Sequence, residues 1–72
     1  MWKKRGWLTD LRMNQGISIH EMGELSGLKY RFIHYLETGA RIPSVKSAKK
    51  IAKVLNFEKH GLDWTRFYEN VN

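Results

Sequence analysis

A chain of 72 residues has room for one small domain that buries only about 60% of the surface its unfolded form exposes, so a broad catalytic cleft is not expected. The absence of cysteine excludes a disulfide framework, a thiolate metal site and a thiol nucleophile, and fits a reducing interior. Thirteen Lys and Arg against seven Asp and Glu leave a formal charge of +6, which favours a polyanionic partner.

The chain opens M-W-K-K-R-G-W-L, which resembles the basic region of a signal peptide, but Thr9, Asp10 and Arg12 break the apolar stretch that should follow. No apolar run approaches the roughly 20 residues of a membrane span. Secretion and membrane residence are therefore not expected, and the protein is placed in the cytoplasm. Lys3, Lys4 and Arg5 form either a disordered arm that reaches a minor groove or simply a charged end.

No segment alternates apolar and polar residues long enough for a strand, whereas spacings of three and four recur throughout, so the expected class is all-α. Helix one should run from about Trp7 to Asn14 or Gln15, burying Leu8 and Leu11 and stopping at Gly16. Ser18 and Glu21 make the S-x-x-E capping box, so helix two should start at Ile19 and reach about Leu25. Gly23 lets another helix approach closely, and Gly27 can supply the positive φ of a sharp turn. Helix three then spans Lys29 or Tyr30 to Glu37 or Thr38. Leu28, Ile33 and Leu36 share its packing face, while Lys29, Tyr30, Arg31, His34 and Tyr35 fall largely on others.

Gly39 ends that helix, Pro43 forbids helix through the connection, and Ser44 is the next N-cap. Helix four should cover about Val45 to Leu55, with Val45, Ala48, Ile51, Ala52 and Leu55 as its inner stripe and Lys46, Lys49, Lys50 and Lys53 pointing away. Phe57 to Leu62 is expected to be an irregular loop. The spacing of Trp64, Phe67, Tyr68 and Val71 after Asp63 predicts an amphipathic final helix over 63–71. Its aromatic stripe either closes the core over helix one or forms a dimer seam. Residues 40–57 carry Arg41 and four lysines with no acid, either a solvated basic face or an electrostatic footprint for nucleic acid.

The L-x-x-L-R of Leu8 to Arg12, Gly16, the capping box, Gly27, Ile33, the L-E-x-G of Leu36 to Gly39, the P-S of Pro43 and Ser44, and the K-x-I-A-K-x-L of Lys49 to Leu55 occur in order at compatible spacing. On these residues the chain resembles the Xre family of helix-turn-helix proteins, the phage Cro and repressor type. The resemblance implies a five-helix phage-repressor-like domain over residues 1–72, with the helix-turn-helix at 18–38 and the recognition helix, 29–38, in the major groove of double-stranded DNA. It assigns base reading to Lys29, Tyr30, Arg31, His34 and Tyr35, with Arg31 suited to a bidentate contact to guanine. It assigns phosphate contacts to Ser18, His20, Gly39, Arg41, Ser44 and Lys46, and a buried structural ion pair to Arg12 and Glu37. Ile19 stands where the family often has a phosphate-holding Gln, Lys29 where it has a better N-cap, and Phe32 at a normally polar position.

The implied function is a transcriptional regulator, in the main a repressor from a bacterium, phage or mobile element, binding a two-fold operator as a homodimer. The alternative is a protein-binding adaptor, antitoxin- or inhibitor-like, that grips a protein partner with Tyr30, Phe32 and Tyr35. An enzyme is not expected. Ser18 and His20 are two apart with no orienting acid, His20, His34 and His60 lack metal-ligand spacing, and no glycine-rich phosphate loop is present, so no cofactor or metal is implied.

Overall fold

The helix starts after Ser18, Ser44 and Asp63 follow side-chain chemistry. Ser18 accepts from Glu21 N–H while Glu21 accepts from Ser18 N–H, Ser44 accepts from Ser47 N–H, and Asp63 accepts from Thr65 N–H. Each capped start satisfies backbone donors that no helical carbonyl can reach. A computed structural model describes residues 3–69. Four α-helices follow one another, α1 (Gly6–Asn14), α2 (Ile19–Ser26), α3 (Tyr30–Thr38) and α4 (Val45–Val54), and two 3₁₀ turns, Phe57–His60 and Trp64–Tyr68, complete the chain order. No strand occurs among the described residues, so the class is all-α.

α2 and α3 form the helix-turn-helix, and glycine decides how closely they pack. A methyl group on Gly23 would lie 2.8 Å from the Leu28 carbonyl oxygen, so only a bare Cα leaves room for the chain entering α3. Gly27 holds φ 74°, a left-handed conformation that costs most residues about 1–2 kcal/mol, and its N–H returns to the Gly23 carbonyl. The turn is thereby fixed by two glycines four residues apart.

Leu8 of α1, Met22 of α2, Ile33 and Leu36 of α3, and Ala48 and Ile51 of α4 meet in one core with Leu55 and two phenylalanines from the 3₁₀ turns. Phe57 and Phe67 stack at 5.7 Å, and Trp7 sets its edge against both, at 5.8 and 5.4 Å. This aromatic trio closes the core beside α1. It supplies area that four short helices alone would lack.

Several expectations are corrected. The fifth helix over 63–71 is instead the 3₁₀ turn Trp64–Tyr68, so four α-helices replace five; Val71 lies outside the described residues. Asp63 tightens the start by accepting from both Thr65 N–H and the Thr65 hydroxyl, and Glu69 is already extended at ψ 113°. A winding of three residues per turn sets Trp64 over Phe67 and drives Phe67 fully inside. Phe57 to Leu62 is not irregular throughout, because burial of Phe57 anchors the turn Phe57–His60. Helix one starts at Gly6, one residue early, and Leu11 is only half-buried. Val45 is 46% exposed and leaves the inner stripe of α4, which starts a turn later at Ala48. Phe32 is half-buried against the core and is not a free surface ring.

Candidate nucleic-acid interface

The sequence places Tyr30, Arg31, His34 and Tyr35 in the first two turns of α3, on the side away from Ile33 and Leu36, and all four are exposed. Lys29, the N-cap residue, is exposed beside them and makes no side-chain cap bond. Tyr30 and Tyr35 keep 42% and 40% of their surface open. Together with Ile19 and His20 from the start of α2, the four α3 residues line an open cleft of about 380 Å³.

Two aromatic contacts tie this surface together. The His20 ring lies against Tyr30 at 4.2 Å between centroids, 33° from parallel, and so fixes the Tyr30 ring from the neighbouring helix. A side-chain hydrogen bond to Tyr30, helped by the electrostatics of Tyr30 and Tyr35, raises the pKa of Arg31 above its ordinary value. Arg31 is a permanent cation, and its planar fork matches paired acceptors such as guanine O6 and N7. At the far end of the face, the Arg41 guanidinium lies 5.7 Å from the Tyr35 ring centre, bridging α3 to the loop that follows.

The other predicted contacts sit at helix ends around this face. Ser18 and Ser44 each accept a backbone N–H at 3.1 Å. The first turn of α4 carries Lys46 and no acid, whereas that of α2 contains Glu21. An anion is thus favoured more strongly at α4 than at α2. Gly39 is buried with its N–H given to the Leu36 carbonyl, and the N–H groups of Ala40 and Arg41 both go to the Tyr35 carbonyl, so the Arg41 side chain is the outward donor there.

The lysines of α4 do not converge on one surface. Lys49 lies 5.3 Å above the Trp64 ring, Lys50 flanks a cleft with Leu25, Ser26 and Val54, and Lys53 stands between that cleft and the one beside Trp64.

Beneath the face, Arg12 and Glu37 lie together and buried. The Arg12 Nε and a terminal nitrogen donate to the two Glu37 carboxylate oxygens at 2.7 and 3.1 Å, and the other terminal nitrogen donates to the Ile17 carbonyl at 2.8 Å. Thr9 adds a hydroxyl to Glu37 at 2.8 Å. α1 is thereby bolted to α3, behind the residues that face outward.

Arg5, expected in a basic arm or a charged end, takes a different place. It is only 3% exposed and donates to the carbonyls of Leu36, Arg41 and Phe67, so it is neither a loose arm nor a charged end. Burial lowers its pKa, against a smaller opposing effect of Tyr68. No pattern announces such a residue, because its partners are backbone carbonyls, which every position possesses.

A family model described as Helix-turn-helix matches residues 8–62. The chain is 36% identical over 67 residues, 93% of its length, to the "Uncharacterized HTH-type transcriptional regulator YqaF" of Bacillus subtilis (strain 168), of which it covers 82%. No solved structure matches. With the capped α2, the glycine turn and the exposed face of α3, the chain belongs to the Xre-type helix-turn-helix family.

Proposed function

We propose that this protein is a sequence-specific, double-stranded-DNA-binding transcriptional regulator that represses by occupying an operator. The observation that carries the reading is the exposed face of Tyr30, Arg31, His34 and Tyr35 on α3, joined through His20 to the start of α2. α3 enters the major groove, where Arg31 pairs with a guanine and the two tyrosines offer hydroxyls or pack on thymine methyls. Lys29 reaches a base edge or a neighbouring phosphate. Ser18, His20, Arg41, Ser44 and Lys46 set the register on the phosphate backbone, with Gly39 shaping the approach.

The described residues extend 27 × 26 × 22 Å, less than one DNA helical turn of about 34 Å, so one copy covers a half-site. Two copies on a two-fold operator supply the missing specificity. The curated relative's description as a transcriptional regulator supports the same reading. The rival reading, a protein-binding adaptor in the manner of an antitoxin or inhibitor, loses one of its three aromatic anchors because Phe32 packs against the core.

The test is binding to the DNA flanking the protein's own gene, titrated against salt, with Arg31→Ala beside the wild type. Tight binding that exceeds binding to random duplex, weakens steeply with salt and loses sequence preference in Arg31→Ala is the expected result. A wild type that prefers no duplex in that region argues for a protein partner or a distant operator.

A further inference from the structure

Between α3 and α4 the chain runs without helix from Arg41 to Ser44, and it is held from behind by residues at opposite ends of the sequence. The Arg5 N–H donates to the Glu37 carbonyl at 2.8 Å. One terminal nitrogen of its guanidinium donates to Leu36 at 2.7 Å and Arg41 at 3.0 Å, and the other to Phe67 at 3.2 Å. The Tyr68 hydroxyl donates to the Pro43 carbonyl at 2.7 Å. Two carbonyls of the loop, at 41 and 43, are thus drawn toward the protein.

In a planar trans peptide the carbonyl of one residue and the N–H of the next point in opposite directions. Holding the carbonyls of Arg41 and Pro43 inward therefore turns the N–H groups of Ile42 and Ser44 outward. Neither N–H finds an acceptor among the described residues, and both residues are exposed. Beside them stand the Arg41 side chain and the acid-free first turn of α4 with Lys46. The outward side of the loop thus carries the N–H groups of Ile42 and Ser44, with the carbonyls of Arg41 and Pro43 bonded inside.

We infer that Arg5 and Tyr68 are positioning residues that lock this loop with its N–H groups facing a DNA phosphate. The inference rests on the DNA-binding reading above. An extended segment without such anchors would present carbonyls to the phosphate for part of the time and would lose backbone freedom on binding, whereas the locked loop has lost it already. The lock also joins both ends of the chain to the C-terminal end of the reading helix, where the Arg5 guanidinium adds a second donor to the Leu36 carbonyl and the Arg5 N–H takes that of Glu37.

Tyr68→Phe tests this with the smallest change, because it removes one hydroxyl and keeps the ring. Amide hydrogen exchange reads the loop without DNA, through Ala40 and Arg41, whose N–H groups bond the Tyr35 carbonyl. Their exchange is expected to quicken roughly 5-fold, with α2 unchanged. Affinity for operator and random duplex should fall together, about 3- to 10-fold, and the slope of log affinity against log salt should shrink by about one as Arg41 loses its phosphate. Arg5→Lys, which keeps the charge but cannot fork to three carbonyls, should do more; if it fails to fold, Tyr68→Phe alone decides.

Unchanged loop protection in Tyr68→Phe overturns the lock. Faster exchange with unaltered affinity and salt slope overturns the link to phosphate, leaving a purely structural bond. A wild type that binds no duplex overturns the DNA reading itself, and the exchange measurement still decides whether the two ends hold the loop.

Discussion

Tyr30 carries two interactions on one side chain, its ring against His20 and its hydroxyl toward Arg31. Tyr30→Phe keeps the first and removes the second. The variant is expected to fold with unchanged stability and to bind random duplex as before, while its preference for the operator falls about 3- to 10-fold, measured by competition binding. Arg12 makes the opposite kind of prediction, because its charge is buried against Glu37 and serves the fold. Arg12→Ala strands the Glu37 carboxylate and should cost roughly 3–5 kcal/mol in denaturant unfolding, whereas replacing both residues with apolar side chains of similar volume should recover much of that loss.

At the scale of elements, the α2–α3 turn depends on the absence of a methyl group. Gly23→Ala sets a Cβ against the Leu28 carbonyl, backbone that cannot swing aside, and is expected to lower stability by about 1–3 kcal/mol in urea unfolding. The final 3₁₀ turn depends on Asp63, whose pKa lies below its ordinary 3.8 because the Thr65 hydroxyl and N–H both donate to it. A carboxylate with a depressed folded-state pKa contributes stability that is complete above the unfolded value and disappears as pH falls through the folded one. The stability difference between wild type and Asp63→Asn should therefore be constant near neutrality and change only below about pH 4. Urea midpoints across that range check it.

At the scale of the whole molecule, under the proposed function a charge of +6 would draw the protein to any duplex, so sequence preference would have to come from the small face of α3 and from pairing two copies. If two copies bind one operator, separating the half-sites by about five base pairs turns the second onto the opposite side of the duplex and should abolish tight joint binding. Footprinting of operators with altered spacing would read this directly. The aromatic residues of the C-terminal turn offer little to such a pairing, since Phe67 is wholly buried and Trp64 and Tyr68 are half-buried.

The four helices and their class were legible in the sequence because their signals are local. A capping box, a glycine at a turn, a proline in a loop and apolar residues three and four apart act within a few residues of chain, and the exposed side of α3 follows from the same spacing. The Phe57–His60 and Trp64–Tyr68 turns were not legible in this way. Trp64, Phe67 and Tyr68 fit a helix as well as a 3₁₀ turn, and the choice was made by packing Phe57 and Phe67 against Trp7 and by the reach of Tyr68 to Pro43. Arg5 shows the limit most plainly. Its charge was visible and suggested DNA or solvent, but its place was decided by three carbonyls distant in sequence, and only the folded chain gathers them within reach of one guanidinium.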